Sequence, residues 1–472
     1  MSGLFGTLNN ATKGLNVQQA ALQTTSHNIS NANTVGYSRQ KVTMVADNPY
    51  TLGGIGQLGT GVRISSIDRI VDPYVNKQLR NENSSLEMYG KKSDILGQLE
   101  GIFNEPSTTG LNNNLSKVFS SWTYLGSNPE LATAKTMVAQ NSETFTDTLH
   151  HMSKQIDSLH EGTVQDIEKN VLDFNAKVEQ LDSLNKQIFN MTSQGQAPND
   201  LLDQQDKILS ELTGIAGVEA SYDKFNRVSI TVGGESVLTE DSISKMSVAP
   251  DSDGQLVVNE TNIAITSGNI KGSQEALTEI DTKKQELNDI AFTFATAMNE
   301  VHSDGGAGIP FFTLGEGGDY AASIQVNKEI LDDVSKINAG KDINDVVGGD
   351  GTRAQAIAAL QNTKFGDPVD IKGDYDPDTM TIKNKEGGST VAGSYNDSVT
   401  QMGIVKQQSD NMVDSQGSLV SLLEARRDSV SGVSINEEVT NTIAYQSAFE
   451  ANSRIISVVS EMLDTLINRT GV

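Results

Sequence analysis

The chain has no cysteine in 472 residues. That excludes disulfides, thiol catalysis and cysteine-ligated zinc. Aromatic residues make up only 5% of it. No stretch approaches the ~20 apolar residues of a membrane span. The opening MSGLFGTLNNATKGLNVQQAALQ lacks the basic region and continuous apolar run of a signal peptide. If the protein leaves the cell, it is expected to use a route without a cleaved signal. Acidic charge is missing from residues 1–46, which hold only Lys13, Arg39 and Lys41 as basic side chains.

The formal net charge is -26. The two ends, 1–46 and 439–472, carry five basic and three acidic side chains, or +2. The middle therefore carries -28, and such a body repels nucleic acid and anionic membrane. Two weakly charged, apolar ends around an acidic body suit a chain that polymerises. Asn, Gln, Ser, Thr and Gly are abundant, giving surfaces that pack laterally without large desolvation costs.

Helical spacing is clearest at those ends. Leu4, Leu8, Ala11, Leu15, Gln18, Leu22, Thr25 and Ile29 alternate four and three apart, predicting a helix over 3–29 with a heptad seam. At the other end Ile435, Thr442, Phe449, Ile456 and Leu463 fall seven apart, as do Tyr445, Asn452, Val459 and Leu466. The two ends are expected to pair as a coiled coil. Between them, Val164, Ile167, Val171, Phe174, Val178, Leu181, Asn185 and Ile188 mark a long rod helix, with further helices over 72–103, 115–125, 198–212, 273–301 and 396–430. In the last of these, Val405, Ser409, Met412, Gln416, Leu419, Leu423, Arg426 and Val430 form the expected stripe. RVSITVGGESVLT changes the period to two, with Gly233-Gly234 as a hairpin turn.

Chemistry-bearing motifs come to nothing. GIGQLG at 54–59 has the glycines of a dinucleotide fingerprint, but no helix opens after it. His27, His150, His151, His160 and His302 do not make a metal set. DSDG at 251–254 lacks the rest of a calcium loop, and no G-x-S-x-G elbow occurs. No cofactor and no catalytic residue is expected.

SHNISNANTVGYSR at 26–39 and NTIAYQSAFEANSRIISVVSEMLDTL at 441–466 resemble the bacterial flagellar axial proteins, the rod, hook and hook-associated family. Ala32, Asn33, Thr34, Gly36 and Tyr37 match its N-terminal signature; Tyr445, Gln446, Ala451, Asn452, Met462, Leu463 and Leu466 match its C-terminal one. SGVSINEE at 431–438 also looks like the hook-associated members. The resemblance implies a structural subunit, not an enzyme, exported by the flagellar type III apparatus to the hook–filament junction outside the cell. There it would form the first junction ring and be required for filament assembly. It implies a ring of copies of itself, the hook protein on the proximal side, a second junction protein (hook-associated protein 3) on the distal side, and a cytoplasmic export chaperone on the last helix, with no nucleic acid and no membrane insertion. It also implies terminal helices that stay disordered until assembly. The alternative is another axial component: flagellin, which should lack ANTVGY, or the hook protein, which has a more β-rich body.

The expected fold is mainly α with β-rich inserts: elongated, nested, with paired terminal helices and a long-helix bundle. The expected units are 1–40 with 436–472 (terminal coiled coil), 41–214 with 272–435 (long-helix rod), 215–271 (outward β-rich insert) and 341–391 (a flexible sub-insert). Assembly and subunit packing are expected at Leu4, Leu8, Leu15, Leu22, Ile29, Asn33, Thr34, Gly36 and Tyr37 at one end. At the other they are expected at Tyr445, Phe449, Asn452, Ile456, Val459, Leu463 and Leu466.

Overall fold

The computed structural model describes residues 3–54, 56–103, 105, 107–249, 254–343, 349–366 and 368–468. The first three residues of DSDG lie outside them, as do Ile55 of GIGQLG and the four C-terminal residues.

Helix α1 (Leu4–Ser30) leads into β1 (Gln40–Ala46), which pairs antiparallel with β4 (Val62–Arg69); β2 (Tyr50–Leu52) and β3 (Gly56–Leu58) form a second hairpin between them. GIGQLG lies in that hairpin and the strand after its turn, where Gly54 and Gly56 take positive φ. The body follows with α2 (Pro73–Phe103), α3 (Leu111–Ser127), α4 (Ala132–Thr192) and α5 (Asn199–Ile215). The 61 residues of α4 make a rod ~90 Å long at 1.5 Å per residue. Its predicted stripe is buried from Ile167 to Ile188, with Val164 only partly covered. Helix α3 begins four residues earlier than the spacing suggests. The Asn112 amide donates to the Glu105 carboxylate at 3.0 Å, so the Asn-rich segment starts the helix and does not break it.

Two three-stranded meanders come next: β5 (Val218–Tyr222), β6 (Val228–Val232) and β7 (Glu235–Leu238), then β8 (Met246–Val248), β9 (Leu256–Val258) and β10 (Thr261–Ile263). Helix α6 (Asn269–His302) returns along α2 and α4. Short elements fill the next stretch: β11 (Phe312–Thr313), α7 (Tyr320–Ser323), β12 (Gln325–Val326), α8 (Lys328–Asp332), α9 (Thr352–Ala359), α10 (Ile371–Asp374), β13 (Tyr375–Asp376) and β14 (Thr381–Ile382). Helix α11 (Val391–Ser431) lies antiparallel along α2, and α12 (Ile435–Asn468) ends the described chain. The result is an elongated, mostly helical molecule with several small sheets.

One apolar core runs from Ile95 on α2 to Met402 on α11. Phe294 of α6 sits at its centre against the rings of Phe119, Phe145 and Phe312. The strands of both meanders contribute Val228, Ile230, Leu256 and Val258 to this same core. No described side chain of α1 or α12 belongs to it. The terminal pair is held by other means.

Strands are tied to helices by asparagine. Asn175 and Asn185 of α4 each donate to a strand carbonyl and accept from the same residue's amide: Met246 at 2.7 and 3.0 Å, Val228 at 2.8 and 3.0 Å. Asn299 of α6 does the same to Phe312 at 2.8 and 2.7 Å, and Asn28 of α1 to Gln40 at 2.8 and 2.9 Å. Each clamped residue is the first of its strand. The polar residue in the α4 stripe is thereby explained.

Part of 341–391 is anchored. Arg353 is fully buried, and its guanidinium donates to the carbonyls of Val301, Gly340 and Lys341. It lies 3.3 Å from Asp304, whose carboxylate also accepts from the Tyr375 hydroxyl at 3.0 Å. His302 is buried beside it, between the Ile309 carbonyl and the Asn338 amide, both 3.0 Å from ring nitrogens. Burial pushes its pKa down to about 4, so the ring is neutral and structural. His150 reaches the Ile324 carbonyl and His160 faces Asp281. Among the described residues no His/Cys/Asp/Glu group could hold a metal ion.

Candidate assembly joint at the chain ends

Helices α1 and α12 pack along each other antiparallel. Asn28 meets Glu438 at one end, and Gly14 meets Asn452 further along, the same interval in opposite directions on the two helices. The α12 half of the seam follows the spacing between Thr442 and Leu463, whereas Ile435 at its start is 51% exposed. Tyr445, Phe449, Asn452, Ile456 and Leu463 are partly covered and Val459 is buried, while Leu466 is 53% exposed.

The α1 half is rotated by about one residue from the leucine stripe. Its buried positions are Ala11, Gly14, Val17, Ala21, Thr24, Thr25 and Asn28. Leu4, Leu8, Leu15, Leu22 and Ile29 flank this face, half-covered. Close approach explains it. A Cβ on Gly14 would lie 2.7 Å from the Asn452 Oδ1. Small residues let the backbones come together; leucines on the seam would hold them apart. The stripe on α11 is met only in part: Ser409 and Leu423 are buried, but Val420 is buried in place of Leu419, and Met412, Leu419 and Val430 are exposed.

Where the pair meets the body, the signature segment folds into tight turns. The Thr34 amide donates to the Asn31 carbonyl at 2.9 Å, and the Tyr37 amide to the Thr34 carbonyl at 3.1 Å. Gly36 has φ +85°, a conformation that side chains disfavour. Asn33, Thr34 and Gly36 are exposed, with Val35 at the tip. Tyr37 turns inward, and its hydroxyl donates to the Asn28 Oδ1 at 2.7 Å. Burial, and then the nearby carboxylates of Asp200, Asp203 and Glu438, push its pKa well above the usual phenol value, so it stays a donor.

Asn28 is the hub. Its oxygen accepts from Tyr37 and the Gln40 amide; its nitrogen donates to the Gln40 carbonyl and, at 3.2 Å, to Glu438. Glu438 is itself buried, 2% exposed, and takes the Arg39 guanidinium at 2.8 Å. Arg39 also binds Glu437, and its amide donates to the Ser431 carbonyl at the end of α11. Two acids in the first turn of α12 suit the helix dipole, and the Ser434 hydroxyl caps it by accepting the Glu437 amide at 3.5 Å.

A second set of charges fastens the joint to α5. The Ser38 amide donates to Asp203 at 2.9 Å, and Arg69 reaches Asp203 and Asp206 at 2.9 and 2.7 Å. Burial outweighs these partners and raises the Asp203 pKa. Asn199 donates to the Ile67 carbonyl and Gln40 to Asp200. Five elements, α1, β1, β4, α5 and α12, thus converge on one polar knot. The signature residues singled out by resemblance include Tyr37 but not Asn28, Arg69, Asp203 or Glu438. The one visible signal was an acidic pair opening an otherwise charge-poor helix.

Outside the pair, α12 presents Val439, Ile443, Ile455, Val458, Met462 and Leu466, each 42–60% exposed. These side chains form a second, half-exposed apolar stripe. No helix among the described residues is long and apolar enough to cross a membrane.

Comparison with known proteins agrees with these features. Residues 96–312 match the flagellar hook-associated protein FlgK helical domain, 8–37 the flagella basal body rod protein family, and 426–469 the flagellar basal body rod FlgEFG protein C-terminal family. The flagellar hook-associated protein 1 of Bacillus subtilis (strain 168) is 30% identical over 518 residues, covering 100% of this chain and 99% of its own. That of Salmonella typhimurium is 26% identical, covering 98% and 99%. The flagellar hook junction protein FlgK from Burkholderia pseudomallei has the same fold, with a TM-score of 0.62 at 14% identity over 75% of this chain and 100% of that one. With a relative at 30% identity aligned from end to end, the chain belongs to the flagellar hook-associated protein 1 family and is a structural axial component of the flagellum, not an enzyme.

Proposed function

We propose that the protein forms the first hook–filament junction ring and is required for the filament to assemble on the hook. The observation that carries this reading is the full-length correspondence with proteins named hook-associated protein 1, body and ends alike. In the ring, α1 and α12 face neighbouring copies. The half-covered Leu4, Leu8, Leu15, Leu22 and Ile29 and the outer stripe of α12 supply the contact. The exposed Asn33–Gly36 turn lies beside them. Hook protein abuts the proximal side and hook-associated protein 3 the distal side. Before export through the type III apparatus, a cytoplasmic chaperone covers the α12 stripe. The inserted β meanders and 341–391 face outward while staying packed on the rod helices. A clean deletion, imaged separately for hooks and filaments, tests this. Hooks without filaments, with flagellin shed into the medium, are expected. Loss of hooks as well would assign the chain to an earlier axial component, and attached filaments would remove it from the junction.

A further inference from the structure

A groove lies on the body, away from the joint, between α2 and the middle of α4. It encloses about 930 Å³. Its floor is apolar, made by Ile95, Ile102 and Leu159. Its charged lining is Lys91, Lys154, Lys169 and Asp166. Asp166 is the one carboxylate there, and Lys91 already holds it at 2.8 Å. Lys154 and Lys169 are exposed and form no ion pair with the described residues. The chain as a whole carries 61 acidic and 35 basic side chains, so a groove lined by three lysines and one carboxylate runs against its overall charge. Two such bodies brought side by side repel each other at most orientations. A lateral contact therefore needs a place where the sign is locally reversed. The groove supplies one, and its two helical walls have the shape that accepts a third element riding between them.

We propose that this groove receives a carboxylate-bearing surface of a second copy of the chain, with Lys154 and Lys169 as its ion-pairing residues. The contact rests on the ring reading above, since it is a side-by-side contact between bodies rather than between terminal helices. Charge complementarity selects the occupant: the acidic middle of the chain is the surface a neighbouring copy has most of. Such pairs set orientation and the rate of encounter more than they set affinity.

The test uses the full-length chain, mixed from isotopically light and heavy preparations at high concentration and treated with a carbodiimide that joins lysine amines to carboxylates in contact. Mixed light–heavy peptides linking Lys154 or Lys169 to an Asp or Glu are expected. The double variant Lys154→Glu, Lys169→Glu should weaken self-association about tenfold and flatten its salt dependence, with unchanged circular dichroism. Links confined to single copies, or a double variant that associates like the wild type, would overturn the proposal. The deletion experiment reads separately: mixed links with attached filaments would keep the contact and reject the junction.

Discussion

An asparagine side chain carries a donor and an acceptor side by side, the same pair that a residue at the start of a strand leaves open. In Asn28, Asn175, Asn185 and Asn299 that match is used four times to fasten a strand to a helix. The geometry asks for both partners at once, so aspartate or leucine cannot replace it. Asn185→Leu would leave the Val228 amide and carbonyl unpaired at this contact, and Gln205, which also donates to Asn185 at 3.0 Å, would lose that acceptor. Each orphaned group costs about 1–3 kcal/mol. The variant should lower unfolding free energy by about 2–4 kcal/mol in urea titration, whereas Asn190→Leu, exposed one turn further on, should stay within about 0.5 kcal/mol. Equal effects of the two would show that the clamp contributes nothing beyond helix propensity.

Among elements, those with a long single period were legible from sequence and those set by distant contacts were not. The α4 stripe could be read because its helix buries one face over many turns. The α12 seams were read correctly in their middle, where large residues mark them, and wrongly at Ile435 and Leu466, which are exposed. On α1 the leucines misled by about one residue, since pairing follows the face that permits close approach, and Gly14 marks it more surely than Leu15. Strands of three residues, such as β8, are too short for alternation to register. The polar knot was unreadable for another reason: Asn28 and Glu438 lie 410 residues apart. Gly14→Leu should therefore force α1 from α12 and speed amide exchange across 4–30, because its side chain must displace Asn452. Leu15→Gln, on the flanking face, should leave that exchange near wild type. If both behave alike, the seam lies where the leucines are.

At the scale of the whole molecule, the inserted meanders are separate in the chain but joined in packing. Their neck is narrow: the Gly217 amide donates to the Ser267 carbonyl at 2.9 Å, so a short bridge could close the gap. Yet Val228, Ile230, Leu256 and Val258 share one core with Ile167, Val171, Phe174, Val178 and Leu181 of α4. Removing 218–267 would uncover that face, and each side chain gives up about 1.5–3 kcal/mol of burial. Bridging alone should thus yield a body that aggregates and is poorly secreted. The same deletion carrying Val171→Lys, Phe174→Gln and Val178→Glu should remain monomeric and helical, because the exposed face has become polar. Secretion, circular dichroism and filament attachment then separate two roles. Restored secretion with attached filaments would make the insert dispensable for the junction once its footprint on α4 is covered. Restored secretion with shed filaments would give it a contact with neighbouring subunits. A simple bridged deletion that secretes and folds normally would mean that the α4 face is stable without its cover, and that the shared core is not what holds the insert to the rod.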